Sequence, residues 1–160
     1  MIKKLLVAAV AALTTVAAVS TYAATIDLTV GGYVGLPGHK SGKTYVLTKT
    51  VDFSSDNAAA SDTVQLLKIP KNTMVQQVFW SVDTVEGVDT STANLGDDGS
   101  PARYADAIDL NTANTGEMST NSLNLPYLYE TSNTVDLVID TNAIDTAVIT
   151  IRAICIDVSR

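Results

Sequence analysis

The sequence predicts an all-β protein, a single β-sandwich with jelly-roll-like architecture that follows an N-terminal signal peptide. Three observations predict this fold. No segment after residue 24 has a helical period, several short segments are apolar at every second position, and polar turns separate these segments. The chain has one cysteine, so no internal disulfide can form, and the domain must be held by its core or by assembly with other subunits.

Residues 1–23 predict a secretory signal peptide. Lys3 and Lys4 precede an apolar run, and Thr21 and Ala23 occupy the −3 and −1 positions of a cleavage site after Ala23. The run is short and alanine-rich for a membrane span of about 20 residues. We therefore expect export to an extracellular or cell-surface location, with no membrane insertion after cleavage.

The segment 24–43 predicts a short strand followed by a glycine-rich tether. The strand is "TIDLTV" (25–30), and the tether leads to a sandwich domain at 44–160. Such a strand could pair with the sheet edge of a neighbouring subunit. The domain itself opens with "TYVLTKTVDF" (44–53), where β-branched residues and a period of two predict a strand that Lys49 interrupts.

The segment 63–85 predicts two strands joined by a turn at 70–73, where proline presets φ and asparagine tolerates the next corner. We assign the mostly apolar face of the second strand to the core. Trp80 lies on this face, and the alternative is that it forms a stacking platform for a ligand. The residues of the face are Met74, Gln76, Val78, Trp80 and Val82.

Residues 86–126 are polar and predict an irregular region in which "ADAIDL" forms at most a brief strand or a helical turn. Three further strands are predicted at 125–130, 134–140 and 145–159. The last is apolar on both faces, which is typical of a central strand or of one that a partner subunit covers. One face carries Ile149, Ile151, Ala153 and Cys155, and the other carries Ile154, Ile156 and Val158.

The formal net charge is −7, and removal of Lys3 and Lys4 with the signal peptide would make the chain more acidic. An acidic chain does not neutralise phosphates, so we expect no binding to nucleic acid. For the same reason, anionic lipid should not attract it.

The stretch "GLPGHKSGKT" (35–44) resembles the end of a phosphate-binding loop but lacks its spacing. Gly38 and Gly42 are separated by three residues instead of four, and Pro37 has no N–H to donate. A strand follows instead of the helix that such a loop opens. The sequence therefore predicts a loop and no nucleotide site.

The chain offers few groups for catalysis, and we predict that it is not an enzyme. His39 is the only histidine and lies in the glycine-rich loop, without the Gly-x-Ser-x-Gly elbow of a hydrolase. Cys155 falls in the most apolar strand, as a buried structural cysteine would. Paired carboxylates leave a glycosidase as a third alternative, although aromatic platforms for sugars are few.

Acidic residues crowd the region 83–109, and Asp97, Asp98 and Asp106 are weak candidates for a calcium site. Calcium prefers several carboxylate and carbonyl oxygens, but the segment lacks the alternating acids and terminal glutamate of an EF-hand loop. The competing interpretation is a solvated turn. We predict no other cofactor and no catalytic residue.

Three segments resemble small structural proteins of tailed bacteriophages, the virion and head-decoration type. They are "LLKIPKNTMVQQVFWSVDTVEG" (66–87), "NLGDDGSPARYADAIDLNTANTG" (94–116) and "NTVDLVIDTNAIDTAVITIRAICID" (133–157). The resemblance implies a β-sandwich subunit that works by self-association and carries no active site. The signal peptide departs from that family, and it leaves room for an exported relative that builds a surface layer or filament.

The sequence therefore predicts an exported, non-enzymatic structural protein that binds other copies of itself, and possibly a virion or cell-surface component, through sheet edges and apolar strand faces. The alternative is a secreted carbohydrate- or ligand-binding module, possibly calcium-dependent, in which Trp80, Tyr104, Tyr127 or Tyr129 stacks on the ligand.

Overall fold

The computed structural model describes residues 23–29, 42–87, 90–117 and 126–159. The predicted signal peptide, apart from Ala23, and residues 30–41 of the predicted tether, with His39, lie outside the described residues. In the described part, no helix is long and apolar enough to cross a membrane.

The described residues form ten strands and no α-helix. The strands are β1 (Thr25–Asp27), β2 (Thr44–Asp52), β3 (Thr63–Ile69), β4 (Thr73–Thr84), β5 (Thr92–Asp97), β6 (Ser100–Asp109), β7 (Thr115–Glu117), β8 (Tyr127–Tyr129), β9 (Asn133–Thr141) and β10 (Val148–Asp157).

These strands make two five-stranded sheets that pack face to face. Sheet I has the order β1-β3-β9-β5-β6, and sheet II has the order β2-β10-β4-β7, with β8 also paired to β4. β1 runs parallel to β3, and every other pair is antiparallel. The predicted all-β sandwich is therefore confirmed, while the jelly-roll-like connectivity stays a prediction.

The core lies between the sheets because each strand alternates its side chains between the two faces. Sheet I contributes Val64, Leu95 and Leu137, and sheet II contributes Val78 and Ile151, all fully buried. The inner faces carry mainly β-branched and aliphatic residues that fill this space. The largest buried side chains are Tyr104, Phe53, Leu66, Ile69, Leu95, Leu110, Leu137, Ile139, Ile144, Ile149, Ile151 and Val64.

Strand β4 departs from the predicted inner face in its first half. The ladder with β10 pairs Ile154 with Gln77 and Cys155 with Val75, so Gln76 is an extra residue that forms a bulge. Val75 and Val78 therefore both point inward, and Val82 follows. The predicted core positions are right at Val78 and Val82 but wrong at Met74 and Gln76, because the bulge changes the face.

The polar region 86–126 contains three strands in its described part, β5, β6 and β7, that the sequence pattern predicts poorly. β5 and β6 form a hairpin at one side of sheet I, and β5 is a central strand between β9 and β6. The prediction of an irregular region is wrong for 92–97, 100–104 and 115–117, whereas 105–109, within "ADAIDL", is a strand, one of the two structures predicted there. Three register shifts along β5 with its two neighbours break the period of two on which the prediction depended.

Glu86 fixes the crossing from sheet I to sheet II between β9 and β10. Its carboxylate accepts hydrogen bonds from the backbone N–H groups of Asp145 (3.0 Å), Thr146 (3.0 Å) and Ala147 (3.2 Å), and from the Thr146 hydroxyl (2.7 Å). The side chain is 3 % exposed. Burial would raise the pKa of Glu86, but these hydrogen bonds outweigh it and lower the pKa from 4.5 to about 2.

We expect Glu86→Gln to lower the free energy of unfolding by about 2 kcal/mol at neutral pH, because buried N–H donors lose an ionised acceptor. Since the folded-state pKa is depressed, the contribution of Glu86 is complete above pH 4.5 and is lost as the pH falls towards 2. Urea unfolding between pH 2 and 7 measures both effects. Glu130→Gln, at an exposed position, is the control, and equal losses in the two variants would contradict the assignment.

Candidate interaction surfaces

The outward side of sheet II is unusually apolar for a face that no other element of the described chain covers. β10 points Ile151, Ala153 and Cys155 into the core, so Ile154 and Ile156 point outward and remain half-buried. β10 is a central strand, as predicted. With their neighbours in the ladder they form a surface that we call the outer apolar face: Val46, Met74, Phe79, Leu128, Ile154 and Ile156.

Cross-strand pairing joins five residues of the outer apolar face, whereas the β10 partner of Phe79 is Arg152 and the β4 partner of Ile154 is Gln77. Ile154 lies opposite Val46 of β2, and Ile156 lies opposite Met74 of β4, which in turn lies opposite Leu128 of β8. Val46 is 56 % exposed and Leu128 is 42 % exposed. Large apolar side chains exposed together in this way mark an interaction site more often than chance scatter does.

A groove of about 620 Å³ runs across this side of the sheet. Phe79 and Trp80 line it from β4, and Arg152 is the one charged residue among the described residues of the lining. Trp80 is half-buried and also packs against the core, so it serves the predicted core role and borders the groove. The described residues of the lining are Val46, Phe79, Trp80, Ser81, Thr115, Thr150, Arg152 and Ile154.

A hydroxyl array borders the groove. Asp83 accepts hydrogen bonds from the hydroxyls of Thr150 (2.6 Å) and Ser81 (2.8 Å), and Thr150 also bonds to Thr50 (2.8 Å). The hydrogen bonds from Thr150 and Ser81 lower the pKa of Asp83, and Arg152 adds to the effect. An ionised carboxylate therefore orders three hydroxyls beside an aromatic surface.

The open edges of both sheets carry features that disfavour pairing with another strand. On edge strand β2, Lys49 occupies an inward position between Leu47 and Val51, and an inward charge on an edge opposes strand addition. Edge strand β6 contains Pro101, which has no N–H, and Ala107 at a φ of 50°. β1 and β7 have three residues each.

The predicted calcium candidates do not converge. Asp97 is buried, whereas Asp98 and Asp106 are exposed. Within the described ranges, no group of three or more His, Cys, Asp or Glu side chains is placed to hold a metal ion. The calcium hypothesis remains an untested prediction.

The carboxylate of Asp97 is instead occupied by groups of the protein. Its Oδ1 atom accepts the backbone N–H groups of Gly99 (3.0 Å) and Ser100 (2.9 Å), which shape the β5–β6 turn. Arg103 donates through Nε (2.5 Å) and Nη2 (3.2 Å). The hydroxyl of Tyr129 donates to Oδ2 at 2.6 Å. Five donors therefore satisfy this carboxylate.

This network connects the two sheets, and we call Asp97, Arg103, Tyr104 and Tyr129 the Asp97 lock. Tyr129 belongs to β8 of sheet II, while the other three belong to the hairpin of sheet I. Tyr104 and Tyr129 also share a hydrogen bond between their hydroxyls. Burial raises the pKa of both tyrosines, so both stay protonated.

The aromatic residues of the Asp97 lock present little surface to a ligand. Tyr104 is 1 % exposed and Tyr129 is 4 % exposed. The guanidinium of Arg103 lies 3.8 Å from the centre of the Tyr127 ring, which is a cation–π contact. Of the four aromatic residues proposed as stacking platforms, Trp80 is the one that borders a groove.

Cys155 is fully buried, and burial raises the pKa of its thiol to about 12. A thiol with this pKa supplies almost no thiolate at neutral pH, as expected of a structural cysteine. Sequence reasoning missed Glu86 and the Asp97 lock. The partners of Glu86 at 145–147 lie 59 to 61 residues away, and Tyr129, which connects Asp97 to the other sheet, lies 32 residues away, so no local pattern marks these long-range contacts.

No protein-family model and no curated protein matches the sequence. Solved structures do match. A chain of the capsid of Ralstonia phage GP4 superposes with a TM-score of 0.66 at 13 % identity, over 85 % of this chain and 99 % of that one. A chain of the cyanophage Pam1 capsid asymmetric unit gives a TM-score of 0.58 at 21 % identity, over 79 % and 94 %.

A third match is a chain of the acid-stable capsid of Helicobacter pylori bacteriophage KHP30, with a TM-score of 0.56 at 12 % identity. Each match covers nearly the whole of the phage chain, so the shared unit is the complete fold. This chain therefore has a fold found in phage capsid chains. The predicted resemblance to phage structural proteins is confirmed at that level.

We expect Tyr129→Phe to destabilise the domain by about 1–3 kcal/mol, because the variant removes one donor to Asp97 and the partner of the Tyr104 hydroxyl. Tyr127→Phe is the matched control, since it keeps the ring that Arg103 covers. Urea unfolding followed by near-ultraviolet circular dichroism measures the difference. A loss no greater than that of the control would mean that the buried hydroxyl does not connect the sheets.

Proposed function

We propose that the protein is a non-enzymatic structural subunit of a virion or a virion-like surface, and that it works by binding copies of itself. The observation that carries the proposal is the fold, which is shared over nearly the full length of three phage capsid chains. The buried thiol of Cys155 and the occupied carboxylate of Asp97 agree with a structural role.

The outer apolar face is the surface that we assign to self-association. Three strands of about ten residues, β2, β10 and β4, lie about 4.8 Å apart, and the three-residue strands β7 and β8 both pair with β4, which together gives a face of at most roughly 20 by 30 Å. This is of the same order as the ~800 Å² that each partner buries in a standard interface. Its exposed apolar residues lose contact with water when a second copy covers them, which favours association.

Charge distribution also favours this side of the molecule. Among the described residues, the groove of sheet II is lined by one charged residue, Arg152, and bordered by one carboxylate, Asp83. Sheet I carries the exposed carboxylates of Asp98, Asp106, Asp109 and Asp140. In a chain with a net charge of −7, two copies therefore meet with less like-charge repulsion at the groove of sheet II than at sheet I.

Sheet edges contribute less to the proposed assembly than the outer apolar face. The inward Lys49 of β2 and Pro101 of β6 oppose strand addition at the two long edges.

The N-terminal strand pairs with its own β3 in this structure, through Thr25, Ile26 and Asp27. In an assembly, the same pairing could form with β3 of a neighbour, which is exchange of a strand between identical subunits.

Export remains part of the proposal and depends on the sequence of residues 1–23, with a basic start, an apolar run and a small-residue cleavage site. An exported subunit of this kind would act at the cell surface, outside the cell or on a virion surface. Mass spectrometry of the protein from the culture medium would detect an N-terminus at Ala24 if cleavage follows Ala23.

We expect the double variant Val46→Asp/Leu128→Asp to abolish self-association and to leave the fold intact, because both side chains are already exposed. Light scattering and negative-stain imaging measure particle size. Ala102→Asp, which adds a charge at an exposed position of sheet I, is the control and should keep the assemblies. If the double variant still assembles but a deletion of 24–41 does not, the N-terminal strand carries the contact instead. A monomeric wild-type protein would contradict self-association itself.

A second candidate function is a ligand-binding module, and the groove of sheet II favours it. Phe79 and Trp80 offer aromatic surface, while Arg152 and the hydroxyl array of Asp83 offer hydrogen bonds. Aromatic rings flanked by polar groups suit a carbohydrate. In this hypothesis, calcium would act at the acidic hairpin and not in the groove.

The second candidate predicts that oligosaccharides change the fluorescence of Trp80, which is the only tryptophan of the chain. Titration with a glycan panel measures this, and Phe79→Ala should weaken the response. It also predicts that calcium raises the melting temperature by several degrees relative to chelator, because a ligand of the folded state stabilises that state. An unchanged spectrum throughout the panel would leave the groove as part of a docking face.

A further inference from the structure

Asp136 is a buried carboxyl group that neither the core nor the outer apolar face explains. It is 1 % exposed, and its Oδ1 atom has no hydrogen-bond partner. Its neighbours in β9, Val135 and Leu137, point into the core and are fully buried. Asp136 therefore points to the outer side of sheet I, where a carboxylate would normally meet water.

The β5–β6 hairpin covers this position. In the ladder, Asp136 lies opposite Gly96 of β5 on one side and Gln65 of β3 on the other. A Cβ atom at Gly96 would lie 2.1 Å from the Ser100 carbonyl oxygen and 2.3 Å from the Pro101 carbonyl carbon. The backbone at 100–101 therefore passes directly over Gly96, beside Asp136, and excludes water from it.

The charged groups around Asp136 make ionisation still less favourable. Asp97 and Asp98 of the hairpin are the acidic neighbours, and Lys68 of β3 lines a polar pocket of about 190 Å³ together with Asp98 and Thr134. Arg103 of β6 is already paired with Asp97. Burial raises the pKa of Asp136 to about 6, and Asp98 and Asp97 add to the shift. The neighbouring Thr134 hydroxyl is a hydrogen-bond donor that favours the ionised form, so it lowers the pKa of Asp136 and opposes this rise.

We propose that Asp136 makes the β5–β6 hairpin a pH-dependent cap on the outer side of sheet I. In mildly acidic solution the carboxyl group is neutral, and the hairpin closes over it at little electrostatic cost. At neutral pH the group is ionised, unpaired at Oδ1 and close to two further carboxylates. The hairpin then opens more often, because opening lets water solvate the charge.

The direction of the pH dependence follows from the raised pKa of Asp136. Between the ordinary value of 3.8 and about 6, the closed state holds more protons than the open or unfolded state. The stability of the cap is therefore complete below pH 3.8, falls as the pH rises through this window and stays low above it. This is opposite to the effect of Glu86, whose pKa is depressed.

Hydrogen exchange of the backbone N–H groups at 97–103, at pH 5 and pH 7.5 and corrected for the intrinsic exchange rate, tests the proposal. We expect protection to fall roughly tenfold at pH 7.5. The reason is that about one unit of the pKa shift from 3.8 to about 6 takes effect between pH 5 and pH 7.5. Asp136→Asn should keep the high protection at both pH values. Asp140→Asn, at an exposed position of the same strand, should behave like the wild type.

Amides of β10 report global unfolding in the same experiment, so a local opening is separated from a general loss of stability. If Asp136→Asn does not fold, the carboxyl carbon of Asp136 can be titrated by NMR in the wild-type protein. An apparent pKa near 4, or a pH-dependent protection that survives in Asp136→Asn, would overturn the proposal.

Discussion

The structure depends on β10, which is buried within sheet II between β2 and β4 and is apolar on both faces. Its inward residues, Ile149, Ile151 and Ala153, are buried and form the middle of the core. Its outward residues, Ile154 and Ile156, have no covering layer in the described chain. One strand therefore supplies both the stability of the domain and the surface by which it would meet another copy. The outer side of this strand is therefore a surface of the described structure that a partner could cover.

Three buried carboxylates show that the effect of a buried acid depends on how many hydrogen-bond donors surround it. Glu86 and Asp97 are surrounded by hydrogen-bond donors, which fix a sheet crossing and the β5–β6 turn. Asp136 has acidic neighbours, and one of its oxygen atoms has no donor. A satisfied buried charge acts as a fixed joint, whereas an unsatisfied one makes its surroundings sensitive to pH.

The sequence predicted the elements in which the period of two is regular, and it failed where the ladder is irregular. β2 and the second half of β10 alternate regularly, so their existence and the two faces of β10 could be predicted from the sequence. β3 was predicted from its apolar residues although it has a bulge at Leu66. β5 could not be predicted, because Asn94 and Gly96 occupy its outward positions and each neighbouring ladder has register shifts. In β4 the strand was predicted, but the extra Gln76 reversed the faces of its first half. A bulge depends on how a strand pairs with its neighbour, and the sequence of one strand does not specify that pairing.

Sites formed by residues that lie far apart in the sequence could not be predicted either. Asp97 was noted as an acid in an acidic region, and its role depends on Tyr129, which is 32 residues away. The resemblance of three segments to phage structural proteins did extend to the fold, because a fold tolerates sequence change as long as the inner faces stay apolar. At 12–21 % identity the matched capsid chains share this pattern and little else. Surfaces diverge faster than cores, so the contacts of this protein must be derived from its own faces.

The contrast between edges and faces limits how copies of this chain can associate. Open edges offer unpaired backbone groups to any strand, and association through them is hard to stop once it begins. An inward lysine in β2 and a proline in β6 oppose this at the two long edges. A sheet face has a defined extent and a defined arrangement of side chains, so two faces can cover each other and leave nothing further to add. Protected edges and an exposed apolar face together favour closed, finite contacts between subunits, which is the kind of contact that a shell of fixed geometry requires.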